Sequence, residues 1–399
     1  MKQHRGRKRT HRRRSRFRAS NWFPFIMLLL SVAAVLGIAA LVVFVGLPKV
    51  LPFFGVEYRA PFAPTPSPSP TPAPTPTPNP MDSFDPVDAQ SEVIFDGSSS
   101  YTWFGDPYFY NGTLMLAAGK LVENKANMTS LYFYDPDSRT AELLPYALKN
   151  THFMYGRFND DWIVYLDAKL NGGGYITAVD RSDPNAQPII IKEAFTGQPE
   201  LMLDGNYLAW TERTGSKMDK LFLCDLTTRE TVTVQLFSNN VYGQSKPSLK
   251  NGVLAWADLD DSGSSGTSLT SCICSIVLNG TSTTKTYRPG TFVHDPQSDG
   301  AYTVWLNGNH GPETSLYYCR NGADPVLIDT GVVDFGLGSD FVAYSKDSAI
   351  YVYMLGDKKT YHITPEKELA QFLGVSDNKV IWMDVTTRER DIVKFAAIP

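Results

Sequence analysis

The 399 residues carry 37 Lys or Arg against 41 Asp or Glu, a formal net charge of −4, and 43% of them are hydrophobic. That apolar content excludes a wholly disordered chain, and four cysteines are too few for a small disulfide-stapled fold. The near-neutral total hides two opposite parts: beyond residue 49, 26 basic residues face 41 acidic ones, a net of −15, which sets that portion against polyanionic partners such as nucleic acid.

Residues 1–20 form a basic tail with ten cations and no acid: Lys2, Arg5, Arg7, Lys8, Arg9, Arg12, Arg13, Arg14, Arg16 and Arg18. Trp22 to Leu47 then runs for 26 residues without a charge. As a helix rising ~1.5 Å per residue this stretch reaches roughly 39 Å, enough for a ~30 Å hydrocarbon core with some tilt, and it exceeds the apolar run of about 7–15 residues in a secretory signal. Residues 21–48 are therefore expected to be an uncleaved transmembrane helix whose partner is membrane lipid; the small residues around Ala39 and Ala40 leave a cleaved signal as the alternative. Positive residues stay on the cytoplasmic side, so the tail is expected inside the cell and the rest outside, a single-pass arrangement. Nucleic acid is the other partner such a tail suits, but beside a membrane it reads as a topology signal resting on anionic lipid.

Residues 49–90 are a linker. Between Pro61 and Pro80 ten of twenty residues are proline, alternating with Thr, Ser and Ala. Such a stretch prefers polyproline II at ~3.1 Å per residue, a spacer of up to roughly 60 Å, and its hydroxyl residues suit a glycosylated stalk.

Residues 91–399 say nearly the same short phrase seven times, every 38 to 49 residues. Clear copies are Asp204-Gly205-Asn206-Tyr207-Leu208-Ala209-Trp210, Asn251-Gly252-Val253-Leu254-Ala255-Trp256 and Asp299-Gly300-Ala301-Tyr302-Thr303-Val304-Trp305; looser ones start at Asn111, Asp160, Ser339 and Asp377. A turn-forming pair followed by a short apolar strand ending in an aromatic, at this period, is the mark of a radial β-array. Around Trp210 the unit reads as four strands, Pro199–Leu203, Tyr207–Glu212, Lys220–Asp225 and Glu230–Phe237, which makes a propeller blade. The last unit holds only three strands, at 370–375, 379–384 and 391–397, whereas Ser91–Phe95 is a strand without a unit. The expected fold is thus an all-β, seven-bladed β-propeller with four-stranded blades, the N-terminal strand completing the last blade so that the ring has no open edge.

The phrase and its four-strand context resemble the TolB-like and WD40-like propellers of bacterial envelope proteins over about residues 90–399. The chain lacks the Gly-His and Trp-Asp pairs of true WD40 repeats. The resemblance implies binding of protein or ligand by one face of the ring and carries no catalytic residues across.

Innermost strands of a propeller line its channel, and those read here carry His152, Glu200, Ser248, His294, Asp295 and Asp334, as ligand contacts or as polar groups meeting channel water. Asp258, Asp260 and Ser262 alternate before Gly263, as hard oxygen ligands do around calcium; Leu269 stands where an EF-hand needs an acid, and a solvated hairpin loop accounts for the stretch equally. No other cofactor is expected. Cys224, Cys272, Cys274 and Cys319 all fall on third strands, where buried free thiols are expected. Asn111, Asn127 and Asn279 open Asn-x-Ser/Thr triplets, which matter only in a eukaryotic secretory route. No nucleophile elbow, phosphate loop or dinucleotide fingerprint occurs. The chain reads as a cell-surface binding module for an unknown protein or glycan partner. The rival is a surface hydrolase or lyase acting on polysaccharide or peptidoglycan through carboxylates in the channel.

Overall fold

The computed structural model describes residues 81, 85, 89–93, 103–122, 125–194, 197–213, 219–237, 245–259, 271–278, 283–287, 292–308, 313–320, 323–387 and 391–399. The tail, the expected membrane span, linker residues 49–80, Asp260 and Ser262 lie outside them. Among the described residues no helix is long and apolar enough to cross a membrane.

Seven four-stranded antiparallel sheets make up the head. Blades 1 to 6 each follow chain order, from Trp103–Tyr110, Thr113–Val122, Lys125–Asp135 and Thr140–Leu143 in blade 1 to Asp334–Leu337, Phe341–Lys346, Ala349–Met354 and Thr360–His362 in blade 6. Blade 7 takes three strands from the C-terminal end, Ala370–Ser376, Lys379–Asp384 and Ile392–Ala397, and its outer strand, Gln90–Glu92, from the other end of the head. Gln90, Ser91 and Glu92 sit opposite Ala396, Phe395 and Lys394, and the Val93 N–H donates to Val393 O at 2.9 Å. The leftover strand does close the ring, starting one residue earlier and ending three residues earlier than the expected Ser91–Phe95.

The repeated phrase has two physical roles. Its turn needs positive φ, which Asn111 and Gly112 (48° and 78°) and Asn251 and Gly252 (50° and 71°) supply, as in a type I′ hairpin whose twist matches the strands it joins. The turn side chains also tie blade to blade: Asp377 Oδ2 accepts the Gly112 N–H at 2.7 Å, Asp204 Oδ2 accepts that of Gly252, and Asn159 Nδ2 donates to Gly205 O at 2.8 Å.

Apolar strands put the core between blades. Seven buried clusters form, one at each blade boundary. The aromatic that ends the phrase sits in them: Trp210 against Leu166 and Ile176 of blade 2, Trp256 against Leu221 and Phe237 of blade 3, and Trp382 against Phe341 and Ile350 of blade 6. Trp210, Trp305 and Trp382 are fully buried, so truncating any of them to Ala costs about 3–5 kcal/mol. The four cysteines are buried on third strands, and Cys272 Sγ stands 3.8 Å from Cys274 Sγ, at hydrogen-bond rather than disulfide distance.

Candidate ligand-binding channel

First strands of all seven blades meet around a channel. At the face where those strands begin lies a cavity of 180 Å³ lined from every blade: Pro107 and Tyr108, Arg157, Glu200, Lys246 and Pro247, Asp295 and Gln297, Asp334 to Gly336, and Phe372 to Ser376. Toward the opposite face, among the hairpin turns, an adjoining 510 Å³ cavity is lined by Asp204, Lys250, Asp299, Ser339 and Asp377, with Ser248, and shares Tyr108, Glu200, Pro247, Gln297, Val375 and Ser376 with the first.

Irregular backbone aims the lining. First-strand registers shift between Gly105 and Tyr108, Met154 and Arg157, His294 and Gln297, and Phe372 and Gly374. The extra residues Asp106, Tyr155 and Asp295 have φ near +50°, and each bulge re-aims its neighbours by breaking the in–out alternation. Asp106 Oδ2 accepts the Tyr155 N–H at 2.8 Å, locking the bulges of blades 1 and 2 together. Burial pushes the Asp106 carboxyl up, against the pull of that N–H and of Arg157. Burial, then the charges of Asp106 and Glu200, push the Tyr155 hydroxyl up to about 12. Between blades 6 and 7 the backbones approach so closely that a Cβ on Gly336 would stand 2.7 Å from Val375 Cγ2, so only glycine fits there.

Of the residues singled out on the sequence, Glu200, Asp295 and Asp334 line the cavity together. Glu200 faces Arg157 at 3.7 Å and Asp334 faces Lys246 at 3.4 Å. Asp295 is held from two sides, accepting the Lys246 N–H at 2.6 Å and facing His294 Nδ1 at 3.0 Å. Burial works to raise its pKa, but these donors outweigh burial and hold the carboxyl below its ordinary value. His294 is buried behind Asp295, its other ring nitrogen 3.1 Å from Gly308 O, and does not line the cavity. His152 lies outside the lining as well, with Nδ1 2.8 Å from Thr151 Oγ1; burial lowers its pKa.

Asp258 is the penultimate residue of the second strand of blade 4, Val253–Leu259, and accepts from Gln235 Nε2 of blade 3 at 2.5 Å. Among the described residues no group of three or more His, Cys, Asp or Glu is placed to hold a metal ion.

Sequence reasoning missed the two cations, Arg157 and Lys246. A usable signal exists: Arg157, Glu200, Lys246, Asp295 and Asp334 each fall three to five residues before their blade's hairpin turn, with bulges accounting for the variable offset. Lys250 was also missed. Its Nζ donates to Leu337 O and Gly338 O at 2.6 and 3.1 Å, spanning from blade 4 to blade 6, as Lys246 does at the other mouth.

No protein-family model matches the chain, and no curated protein matches it in sequence. Among solved structures it is similar to the β-propeller domain of the trilobed protease from Pyrococcus furiosus, with TM-score 0.56 and 13% identity over 75% of this chain and 94% of that one. That propeller is described as having an open velcro topology, whereas blade 7 here is completed by both ends of the head. The Pyrococcus horikoshii acylaminoacyl peptidase matches at TM-score 0.51 and 11% identity, over 71% of this chain and 49% of that one. Oligogalacturonate lyase from Vibrio parahaemolyticus matches at TM-score 0.50 and 10% identity, over 78% and 97%. Such similarity establishes the seven-bladed propeller fold, with neighbours among peptidase and lyase propellers.

Proposed function

We propose that this chain is a membrane-anchored, outward-facing propeller of the TolB-like envelope kind, which binds its partner at the face bearing the 180 Å³ cavity. One observation carries the reading: five charged side chains of both signs, Arg157, Glu200, Lys246, Asp295 and Asp334, converge there from five different blades. Convergent charged groups in a concave site at the end of the strands give orientation and specificity to a ligand. The lining carboxylates each face a cation or a donor, which suits recognition better than the hydrolase or lyase reading, where one carboxyl must stand ready to give a proton. Second strands run back toward the same face, so Asp258, near the end of the second strand of blade 4, lies on that side of the ring.

The basic tail, the uncharged run 21–48 and the Pro-rich stretch support anchoring with the head outside. Protease shaving of intact cells is expected to release the head; a fully protected head overturns the orientation. For binding, the full chain is crosslinked in intact cells and captured beside an Arg157→Gln/Asp334→Asn double variant of matched thermal stability. A protein or glycan partner recovered with the wild type and lost from the variant is expected. Equal recovery by both contradicts the reading.

A further inference from the structure

We infer that the passage through the ring is a site for a linear polyamine, an unbranched hydrocarbon chain bearing several ammonium groups. Such a ligand lies beneath the proposed partner-binding face and needs no macromolecule docked there.

The two cavities form one passage. They share lining residues, Glu200, Pro247 and Val375 among them, so space continues from the mouth at Lys246 and Asp334 to the hairpin turns at Asp204 and Asp299. Glu200 precedes the first strand of blade 3, Leu201–Asp204, and Asp204 ends it. Strand residues rise ~3.3 Å each, so the two acids stand roughly 13 Å apart along the passage.

The lining is negative. Glu200, Asp204, Asp295, Asp299, Asp334 and Asp377 line it against Arg157, Lys246 and Lys250, six acids to three cations. His294 lines neither part. Granting Asp295 to a protonated His294 at 3.0 Å and Asp377 to Lys379 at 3.2 Å still leaves four carboxylates facing three cations. The excess therefore holds in either state of the imidazole, and a cleft of one sign concentrates ions of the other.

Two of the three cations are turned into the wall. Lys250 Nζ donates to Leu337 O and Gly338 O, backbone rather than carboxylate, and burial lowers its pKa despite Asp299 and Asp204. Arg157 donates to Gly156 O at 2.7 Å and lies 5.1 Å over the Tyr108 ring, its side chain 16% exposed. Lys246 alone reaches into the passage, toward Asp334 at 3.4 Å. The acids keep acceptor capacity. Glu200 is 45% exposed and takes no hydrogen bond from the described residues, with Arg157 3.7 Å away. Asp299 Oδ1 accepts the Ala301 and Tyr302 N–H groups and Asp204 Oδ2 that of Gly252, so among the described residues the second oxygen of each has no donor.

These charges are spread rather than gathered. They come from blades 3, 5, 6 and 7 at different depths, and among the described residues no three His, Cys, Asp or Glu converge to hold a metal ion. A compact cation meets one carboxylate at a time, whereas ammonium groups set apart by methylenes meet several at once. Pro247 and Val375, beside Glu200 where the two parts join, offer apolar surface to those methylenes. The part nearer the partner face holds 180 Å³, below the about 300–1,000 Å³ of drug-sized sites, which favours an unbranched chain over a peptide with its side chains.

The test is isothermal titration of the full chain in an uncharged detergent at about 0.15 M salt, where attraction to the acidic head as a whole is screened beyond about 8 Å. The ligands are spermidine, butylamine, magnesium ion and the peptide trilysine. Saturable binding of spermidine is expected, with each of the other three at least tenfold weaker. Glu200→Gln and Asp299→Asn are each expected to weaken spermidine at least threefold at an unchanged unfolding midpoint, whereas Asp137→Asn, in a turn of blade 1 outside the lining, leaves it unchanged. If either channel variant unfolds, the comparison of ligands decides alone. Spermidine that fails to bind saturably, butylamine, magnesium or trilysine that binds as tightly, or an Asp137→Asn loss equal to that of Glu200→Gln overturns the assignment. Capture of a macromolecular partner is read separately. Spermidine that does not bind beside a partner that does overturns this inference and leaves the binding face standing; the opposite pair of results does the reverse.

Discussion

Lys394, in the closing blade, is the place to test how the ring is held. Its Nζ stands 2.6 Å from Glu368 Oε2 and 2.9 Å from Asp384 Oδ2, and the three side chains are only 15, 6 and 13% exposed. Glu368 also accepts the Trp382 indole N–H at 2.6 Å, tying the network to the core between blades 6 and 7. Lys394→Met keeps the stem and removes the charge, leaving two buried carboxylates facing each other without a cation. Breaking a buried pair in this way costs about 3–5 kcal/mol. A head of roughly 310 residues unfolds with an entropy of about 0.65 kcal/mol/K, so a loss of about 4 kcal/mol lowers the midpoint by ~6 °C. The assay is thermal unfolding followed by circular dichroism on the full chain, at pH 7 and at pH 3. Burial works to lower the Lys394 pKa, but both carboxylates outweigh it and raise it; Asp384 is lowered despite burial. By sign, the lysine's contribution is present below its unfolded value and lost as pH rises through the raised one. The aspartate's contribution is present above about pH 4 and lost as pH falls through the depressed value. The deficit of Lys394→Met is thus expected to be large at pH 7 and smaller at pH 3. A midpoint within 1 °C of wild type at pH 7, or a deficit that grows in acid, refutes the reasoning.

Two further outcomes follow from the same geometry. Val93 is 5% exposed and packs with Val393 and Phe395 where blade 7 meets blade 1, so Val93→Ala is expected to cost about 2 kcal/mol, read as a midpoint about 3 °C lower; an unchanged midpoint contradicts the clasp. Asp106→Asn retains an oxygen for the Tyr155 N–H and tolerates φ near +50°, while removing a carboxyl whose burial raises its pKa. A raised carboxyl pKa means the charged form destabilises the fold above the ordinary carboxylate range, so the variant is expected to be more stable than wild type at pH 7 and no different at pH 3 in parallel denaturant titrations. A loss at pH 7 counts against the desolvation account.

Architecture was legible because it rests on local rules. Positive φ at Asn251 and Gly252 and a buried Trp256 five residues later are properties of one hairpin and its neighbour, and the chain repeats them. Ring closure followed from counting strands, and the clasp at Gln90–Glu92 overlaps the expected Ser91–Phe95 at Ser91 and Glu92. The channel was legible only in part. Glu200, Asp295 and Asp334 stood out as acids on inner strands, but Arg157 and Lys246 look like ordinary surface cations until the strand register is known. A bulge such as that between His294 and Gln297 inserts a residue and exchanges which neighbour faces the axis, so His294 is turned into the wall while Asp295 faces the cavity. Similarly, nothing local to Asp258 announces its hydrogen bond to Gln235, which another blade supplies.

Site-specific photocrosslinking compares the two faces of the ring most directly. The probe is placed in the full chain on intact cells, at Glu200 beside the cavity and at Arg229 in the turn between third and fourth strands of blade 3 on the opposite face. The account predicts a discrete partner adduct from position 200 and none from position 229. Adducts from position 229 alone, or equal labelling from both, contradict a binding face built around the channel mouth.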